Sequence, residues 1–193
     1  MTNVAIPDWN AQGILPPVDP DDPTSPDRSP YTVSLVDLVL RYGFSPQRIQ
    51  ILRGLLEFRA ALHKTGLVNG FQWVDGSFLE KIETIENRAP NDVDLVTFFC
   101  LPKGVTQQAL ADSAIRLFDP IQTKTVYHVD AYFVELTSTT LEPLVNQSTY
   151  WYGLWSHRRN GQWKGYLQID LSSGEDQVAG VNLAKKEREI EHE

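Results

Sequence analysis

Apolar residues recur along the chain with two periods, one typical of strands and one typical of helices. Three largely apolar runs, at about 71–75, 93–101 and 125–136, predict strands, and an alternating run over 166–171 predicts a further one. The helical period occurs between them and predicts helices at about 32–41, 46–66, 106–118 and 141–153. This order indicates an α/β or α+β domain, in which helices alternate with the strands of a β-sheet.

The first two helices have start signals in the sequence. Thr32 or Ser34 is suited to cap the first helix. Ser45 and Pro46 provide the N-cap and the first-turn proline of the second helix, which would end near Gly66. The residues of this second helix that we expect to face the sheet are Ile49, Leu52, Leu56 and Leu62.

The two ends of the chain differ from its middle in composition. Residues 1–30 contain seven of the twelve prolines and bury too little apolar surface to offset the entropy of ordering. We therefore expect an extended arm, attached to the body through Ile14 and Leu15. Residues 172–193 are highly charged and predict either a helix or a disordered tail. The folded domain is thus expected to span residues 31–171.

The net charge of −8 comes mostly from these two ends. The arm carries five aspartates and one arginine, and the tail carries six acidic and three basic residues. The domain between them is close to neutral. This charge distribution argues against a broadly basic surface for nucleic acid, but it leaves room for a local basic patch.

The composition also limits the class of protein. Hydrophobic residues at 41% and charged residues at 22% are ordinary values for a globular protein. The single cysteine, Cys100, excludes an intramolecular disulfide framework and a zinc cluster. No apolar run approaches the length of a membrane span, and no basic-then-apolar signal segment follows Met1. We therefore expect a cytoplasmic protein without membrane contact.

A Gly-Ser turn and three aspartates form the most informative pattern in the chain. Gly76 and Ser77 follow the first predicted strand, and Asp92 and Asp94 stand at the start of the second. On a strand these two carboxylates point to one face, with Cα atoms roughly 6–7 Å apart. They repel each other unless a cation lies between them, and such oxygen ligands suit Mg²⁺. Asp130, in the third predicted strand, adds another carboxylate.

Gly-Ser, Asp-x-Asp and a later strand aspartate, in this order, resemble the nucleotidyltransferase fold of the DNA polymerase β superfamily. The similarity spans about residues 67–136. Segments 10–17, 73–78 and 151–157 are also similar to small bacterial nucleotidyltransferase-like proteins. The resemblance implies a nucleotidyltransferase fold of the α+β class with α/β-like alternation, in which a mixed, twisted β-sheet is flanked by helices. It also implies that the protein binds a nucleoside triphosphate together with two Mg²⁺ ions, or with Mn²⁺ in their place.

The resemblance also implies roles for individual residues. Asp92 and Asp94 would hold the metal ions, and Asp130 would complete the catalytic metal site beside the acceptor hydroxyl. Gly76 would allow close approach of the backbone, and Ser77 would offer a hydroxyl and an N–H to a phosphate. The alternative interpretation is structural, because aspartates at strand ends and Gly-Ser turns are both common.

Basic residues near the motif are candidates for binding the nucleotide. Lys81 and Arg88 lie in the loop after the Gly-Ser turn, and His157 and Arg158 follow an aromatic segment. Each of them is alternatively a solvated surface residue. Asp75 is set aside as a site residue, because a carboxylate beside a triphosphate would repel it.

The aromatic segment has two interpretations as well. Its members are Trp151, Tyr152, Trp155 and, further along, Trp163. Aromatic rings of this kind can stack on a nucleotide base. The spacing of Trp151 and Trp155 favours a helix face packed on the sheet.

Two features depart from the superfamily pattern. Fourteen residues separate Ser77 from Asp92, which makes a long loop. Phe78 and Leu79 stand where many relatives carry polar or basic side chains. Both departures weaken the expectation of catalysis more than the expectation of the fold.

We expect a Mg²⁺-dependent nucleotidyltransferase that moves a nucleoside monophosphate to a hydroxyl of an RNA end, a protein or a small molecule. By analogy with small bacterial members, it would act in a toxin–antitoxin or phage-defence system. No second domain for the acceptor is evident, so a protein partner or a second copy in a homo-oligomer would bring it. The alternative is a catalytically silent module with the same fold that binds nucleotides or proteins.

Overall fold

A five-stranded sheet lies at the centre of the protein. The structure is a computed structural model and describes residues 3–192, so that residues 1–2 of the predicted arm and residue 193 of the predicted tail lie outside it. The strands of the described chain are β1 (Tyr31–Thr32), β2 (Gly70–Asp75), β3 (Val93–Phe99), β4 (Val129–Glu135) and β5 (Leu167–Asp170). The helices are α1 (Leu35–Tyr42), α2 (Pro46–Lys64), α3 (Ile82–Ile85), α4 (Gln107–Ser113), α5 (Pro120–Tyr127), α6 (Leu141–Trp155) and α7 (Asp176–Glu191). Two 3₁₀ helices span Ser77–Leu79 and Ile115–Leu117. None of these described helices is long and apolar enough to cross a lipid bilayer.

The sheet is mixed, with the strand order β1-β5-β2-β3-β4. β1 pairs with β5 in parallel, and β3 pairs with β4 in parallel. β2 lies between them and runs antiparallel to both β5 and β3. The predicted α+β class with a mixed sheet flanked by helices is therefore confirmed.

The first two helices begin where the sequence predicts. Ser34 caps α1 by accepting a hydrogen bond from the backbone N–H of Asp37. Ser45 caps α2 in the same way for Arg48, and Pro46 occupies the first turn. Of the residues predicted to face the sheet, Ile49, Leu52 and Leu62 are buried, and Leu56 is partly buried.

The predicted strand at 125–136 was wrong at its start, because its first residues belong to α5. Asp119 accepts a hydrogen bond from the backbone N–H of Ile121, and Pro120 occupies the first turn of the helix. These two signals outweigh the β-branched residues that made the segment look like a strand. His128 caps the C-terminus of the helix with a left-handed φ of 55°, and β4 follows immediately.

Other boundaries differ for local reasons. The predicted helix at 106–118 is interrupted after α4, where the chain tightens into a 3₁₀ turn. β3 ends at Phe99, before the predicted end at 101. β1 has only two residues, too few to show a period in the sequence. The charged tail forms α7, so the helical alternative is the one found.

The N-terminal segment is attached to the body where the sequence predicts. Ile14 and Leu15 are buried in the core region. The carbonyl of Gly13 accepts a hydrogen bond of 2.7 Å from the backbone N–H of Lys81. Residues 19–28, in contrast, are almost all exposed. The segment is therefore held at its apolar stretch rather than along its acidic one.

The two faces of the sheet pack against different helices. On one face, Phe133 of β4 contacts Phe58 of α2, with 6.3 Å between the ring centroids. On the other face, Tyr132 of β4 contacts Trp151 of α6, with 4.9 Å between the centroids. Because neighbouring residues of a strand point to opposite faces, α2 and α6 lie on opposite sides of the sheet.

Arg59 of α2 is fully buried and connects α2 to the sheet and to α7. Its guanidinium donates hydrogen bonds of 3.0 and 2.8 Å to the carboxylate of Asp176. It also donates to the side-chain oxygen of Gln72 and to the carbonyls of Asp170 and Ser172. A buried charge is tolerated only when it is paired and hydrogen-bonded in this way.

Arg59→Met should lower the free energy of unfolding by about 3–5 kcal/mol, because it leaves Asp176 and Gln72 without their buried partner. Arg53→Met is the matched control, since Arg53 also joins α2 to α7 through Glu187 but is half-exposed. The control should cost less than about 1 kcal/mol. Urea unfolding measures both changes, and equal losses would contradict the role assigned to Arg59.

Candidate functional site

A cleft of about 700 Å³ opens where β2 ends and where β3 and β4 begin. This volume lies within the usual range for binding sites of small molecules. Its walls come from the Gly-Ser turn, from the loop after it and from the segment 154–164. Six carboxylates and five lysine or arginine side chains line it, so its net charge is close to neutral.

Aspartates of neighbouring strands form a row across this cleft. Asp94 of β3 pairs in register with Asp75 of β2 on one side and with Asp130 of β4 on the other. Residues in register have their side chains on the same face of the sheet. Asp92, just before β3, also lines the cleft. We call these four residues the aspartate row, and it contains all three aspartates predicted from the sequence.

Gly76 brings the predicted turn into contact with this row. Its φ of 92° lies in the left-handed region, which favours glycine. A β-carbon at this position would lie only 2.4 Å from Oδ2 of Asp94. Ser77, the next residue, lines the same cleft. The absence of a side chain at Gly76 is therefore what lets the Asp94 carboxylate approach the turn.

Two lysines bracket the aspartate row. At one end, Nζ of Lys164 donates hydrogen bonds of 2.8 and 3.0 Å to the two carboxylate oxygens of Asp75. At the other end, Nζ of Lys124 lies 2.8 Å from Asp92 and 3.0 Å from Asp130. The side chain of Lys164 is 6% exposed, whereas that of Lys124 is 50% exposed. The row therefore has a closed end and an open end.

Asp94, in the middle of the row, has no cation bonded to its carboxylate. This carboxylate has no side-chain hydrogen bond and no ion pair with a residue in the range 3–192, although the nearby charge of Lys164 opposes the upward shift of its pKa. Burial, followed by repulsion from Asp75, Asp92 and Asp130, raises the pKa of Asp94 to about 7. Burial also raises the pKa of Asp75 to about 6, although Lys164 beside it opposes the shift. Asp94 therefore favours a bound proton or a bound cation.

Three of the four side chains predicted to bind the nucleotide line the cleft. These are Arg88, His157 and Arg158. The guanidinium groups of Arg88 and Arg158 each lie 2.8 Å from a carboxylate oxygen of Glu86. Their charges are therefore already balanced by acids, and only His157 is free of such a pair within the described chain.

Two residues, Lys81 and Asp75, differ from the prediction in whether they line the cleft. Lys81 is exposed and lies outside the cleft lining, because its part of the loop follows the N-terminal segment through the bond to Gly13. Asp75 lines the cleft, although it was set aside as repulsive. Lys164 balances its charge, so the reason for excluding it does not hold.

Two further cleft residues, Lys124 and Arg159, are not among the site residues predicted from the sequence. Lys124 belongs to a segment with the composition of a strand, and only the helix α5 carries it to Asp130, six residues later. Arg159 lies in the turn closed by the bridge between His157 and Trp163. Unlike the other lining cations, Arg159 has no ion pair with a residue in the range 3–192.

The loop after the Gly-Ser turn is held in place by Arg48 of α2. This residue is fully buried and donates hydrogen bonds of 2.5 and 2.8 Å to the carbonyls of Phe78 and Glu80. It also binds both carboxylate oxygens of Glu83, at 2.6 and 3.0 Å. Phe78, which departs from the superfamily pattern, is thus part of the core rather than of the cleft surface.

The aromatic segment serves mainly as core. Trp151 and Trp155 are 8% and 6% exposed, and their ring centroids are 5.5 Å apart, which confirms the packing interpretation. Trp155 also lines the cleft. Tyr152 and Trp163 are more exposed, at 39% and 45%. Trp155 is therefore the tryptophan placed to contact a bound ligand.

The carboxylates of the aspartate row are of the ligand type that binds a divalent cation, but they are not arranged as a preformed metal site. Carboxylate oxygens are the donors that Mg²⁺ prefers. Among residues 3–192, however, no group of three or more His, Cys, Asp or Glu side chains is arranged to hold a metal ion. Nζ of Lys124 lies between Asp92 and Asp130. A cation shared by these two aspartates would therefore have to displace the ammonium group.

Without divalent cations, the protein should lose stability as the pH rises from about 4 to about 7. The pKa of Asp94 is about 7 in the folded protein and about 4 in an unfolded chain. The folded state thus holds the proton more tightly, and this stabilisation disappears as the pH rises through the folded pKa. The slope attributable to Asp94 is at most about 1.4 kcal/mol per pH unit.

Asp94→Asn should remove this slope and should be more stable than the wild type at pH 8. Urea unfolding in EDTA at pH 5 to 8 measures it, with Asp112→Asn at an exposed aspartate as the control that keeps the slope. Parallel pH profiles of Asp94→Asn and the wild type would show that Asp94 is not the source.

A protein-family model matches residues 7–170 and is described as a family of unknown function, DUF6932. No curated protein and no solved structure matches the chain. The matched range includes the whole sheet, the Gly-Ser turn and every member of the aspartate row. The chain therefore belongs to the family DUF6932, whose function is unknown.

Proposed function

We propose that this protein is a Mg²⁺-dependent nucleotidyltransferase with a nucleotidyltransferase-type fold. One observation carries the proposal. Asp94 and Asp130 lie side by side in register, Asp92 lies next to them, and the Gly76 turn touches Asp94. Three carboxylates beside a Gly-Ser turn suit nucleotidyl transfer, since the reaction depends on positioning and on charge neutralisation.

The transfer step would proceed as follows. The oxygen of an acceptor hydroxyl attacks the α-phosphorus of a nucleoside triphosphate, and the bond from that phosphorus to the bridging oxygen breaks. Pyrophosphate leaves with the bonding electrons, and the hydroxyl proton passes to a carboxylate oxygen of Asp130. Mg²⁺ held by Asp92, Asp94 and Asp130, or Mn²⁺ in its place, would supply neutralisation of the phosphate charge.

The phosphates would be held by the opposite wall of the cleft. Ser77 offers a hydroxyl and a backbone N–H beside the aspartate row. Arg159 supplies a guanidinium that no ion pair within residues 3–192 occupies. Since the other four lysine and arginine side chains of the lining are paired with carboxylates, a triphosphate enters favourably only with a cation.

The acceptor is proposed by class only. An RNA end, a protein side chain or a small molecule each offers the required hydroxyl, and a protein partner or a second copy would present it. A cytoplasmic role in a toxin–antitoxin or phage-defence system is proposed by analogy with the superfamily resemblance.

A silent module that binds nucleotides or proteins is the second candidate, and a separate observation favours it. Lys124 bridges Asp92 and Asp130, and Glu86 bridges Arg88 and Arg158, so each of these four charges has an internal partner. A site in which most charges are paired internally gains less from binding Mg²⁺ and phosphate. Binding without transfer distinguishes this candidate from the enzyme.

Nucleoside triphosphates with Mg²⁺ should raise the melting temperature of the protein. At a ligand concentration of about 100 times Kd the stabilisation is about 2.7 kcal/mol, which corresponds to roughly 5–10 °C for a chain of this size. Thermal unfolding with each of the four triphosphates measures it. The shift should vanish in EDTA and in Asp94→Asn.

Transfer should appear as an added nucleoside monophosphate in the mass spectrum of RNA or protein incubated with the enzyme. Asp94→Asn should reduce this product by about 100-fold or more. Arg159→Gln should weaken triphosphate binding by about tenfold, whereas Arg116→Gln, at an exposed arginine outside the cleft lining, should not change it.

Cation-dependent binding without transfer to any acceptor class would favour the silent module. A complete lack of cation-dependent binding would reject both nucleotide proposals.

A further inference from the structure

We infer that Lys124 is an internal cation of the aspartate row, and that its ammonium group and a divalent cation exclude each other between Asp92 and Asp130. This inference rests on the metal binding in the proposed function, but it does not require nucleotide transfer. It assigns to Lys124 the control of how tightly the unliganded cleft binds a metal ion.

The first support is the position of the ammonium group. Nζ of Lys124 lies 2.8 Å from Asp92 and 3.0 Å from Asp130, so one charge bridges two carboxylates that would otherwise repel each other. The carboxylates are 16% and 18% exposed. These two hydrogen-bonded carboxylates hold the pKa of Lys124 above its usual value, although partial burial opposes the shift.

The second support is the rigid attachment of the helix that carries Lys124. The backbone carbonyl of Lys124 accepts a hydrogen bond from the N–H of His128, the residue in left-handed conformation that caps the C-terminus of α5. Gly54 of α2 packs directly on this end, since a β-carbon there would lie 1.8 Å from the carbonyl oxygen of Tyr127. The backbone of Lys124 is therefore fixed relative to Asp130.

The third support is the contrast between the two ends of the row. Lys164 is 6% exposed and is enclosed together with Asp75, so it stays in place. Lys124 is 50% exposed, so its flexible stem can carry the ammonium group into solvent when a cation arrives. Displacement is therefore expected at the open end of the row and not at the closed end.

Titration with Mn²⁺ alone tests the inference, with the free ion measured by its paramagnetic resonance signal. Lys124→Met removes the charge but keeps an unbranched stem, and it should bind Mn²⁺ on the order of tenfold more tightly than the wild type. Lys124→Arg, which keeps the charge, should not show this gain. Lys81→Met, at an exposed lysine outside the cleft lining, is the matched control and should bind like the wild type.

A second measurement uses the unchanged protein and does not depend on the folding of a variant. Acetylation of lysine amines, followed by mass spectrometry, reports how accessible each ammonium group is. Saturating Mn²⁺ should increase the acetylation rate of Lys124 several-fold, because the ammonium group is released from its two carboxylate partners. The acetylation rate of Lys81 should not change.

Wild-type affinity for Mn²⁺ in Lys124→Met, or unchanged acetylation of Lys124 at saturating Mn²⁺, would overturn the inference. Tighter Mn²⁺ binding by Lys124→Met in a protein that transfers no nucleotide would support the inference and reject the proposed activity. Nucleotide transfer together with unchanged Mn²⁺ binding in Lys124→Met would support the proposed activity and overturn the inference.

Discussion

Repulsion among the four carboxylates of the aspartate row is the constraint on which the cleft depends. Sheet register places Asp75, Asp94 and Asp130 side by side, and a row of like charges on one face is unfavourable unless cations accompany it. Lys164 and Lys124 provide two such cations at the ends of the row. Asp94 between them has no cation bonded to its carboxylate, so a ligand that brings positive charge would relieve the repulsion.

On the opposite side of the sheet, in contrast, the buried charged groups are paired and hydrogen-bonded. Arg59 uses all its donors to join α2, β2 and the start of α7, and Arg48 holds the loop that follows the Gly-Ser turn. Both guanidinium groups come from α2, which packs away from the cleft. A single long helix thus positions both the sheet and the loop wall from the side away from the aspartate row.

The balance of charges in the cleft explains why one arrangement is compatible with both an enzyme and a silent module. Lining arginines and lysines are mostly paired with carboxylates of the same cleft. The half-exposed Lys124 differs from the enclosed Lys164, because only the former can leave its partners at low cost. In the inference drawn above, this one side chain controls whether a metal ion can bind between Asp92 and Asp130.

Local signals in the sequence determined a large part of the fold. Ser34, Ser45 and Pro46 specified two helix starts, apolar runs specified the central strands, and the Gly-Ser and Asp-x-Asp spacing selected the residues that meet at the cleft. These features depend on backbone geometry over a few residues, which a sequence carries directly. The segment before β4 showed the limit, since a cap at Asp119 outweighed its strand-like composition.

Tertiary structure alone decided how the charges pair. Lys124 reaches Asp92, and Lys164 reaches Asp75, across 32 and 89 positions of the chain. Lys81, by contrast, leaves the cleft because its backbone binds Gly13. Ion pairs between distant residues depend on sheet order, register and the ends of helices, and no local pattern records those quantities. The sequence therefore identified three of the four aspartates of the row, whereas only the folded chain added Asp75 and determined which cations accompany them.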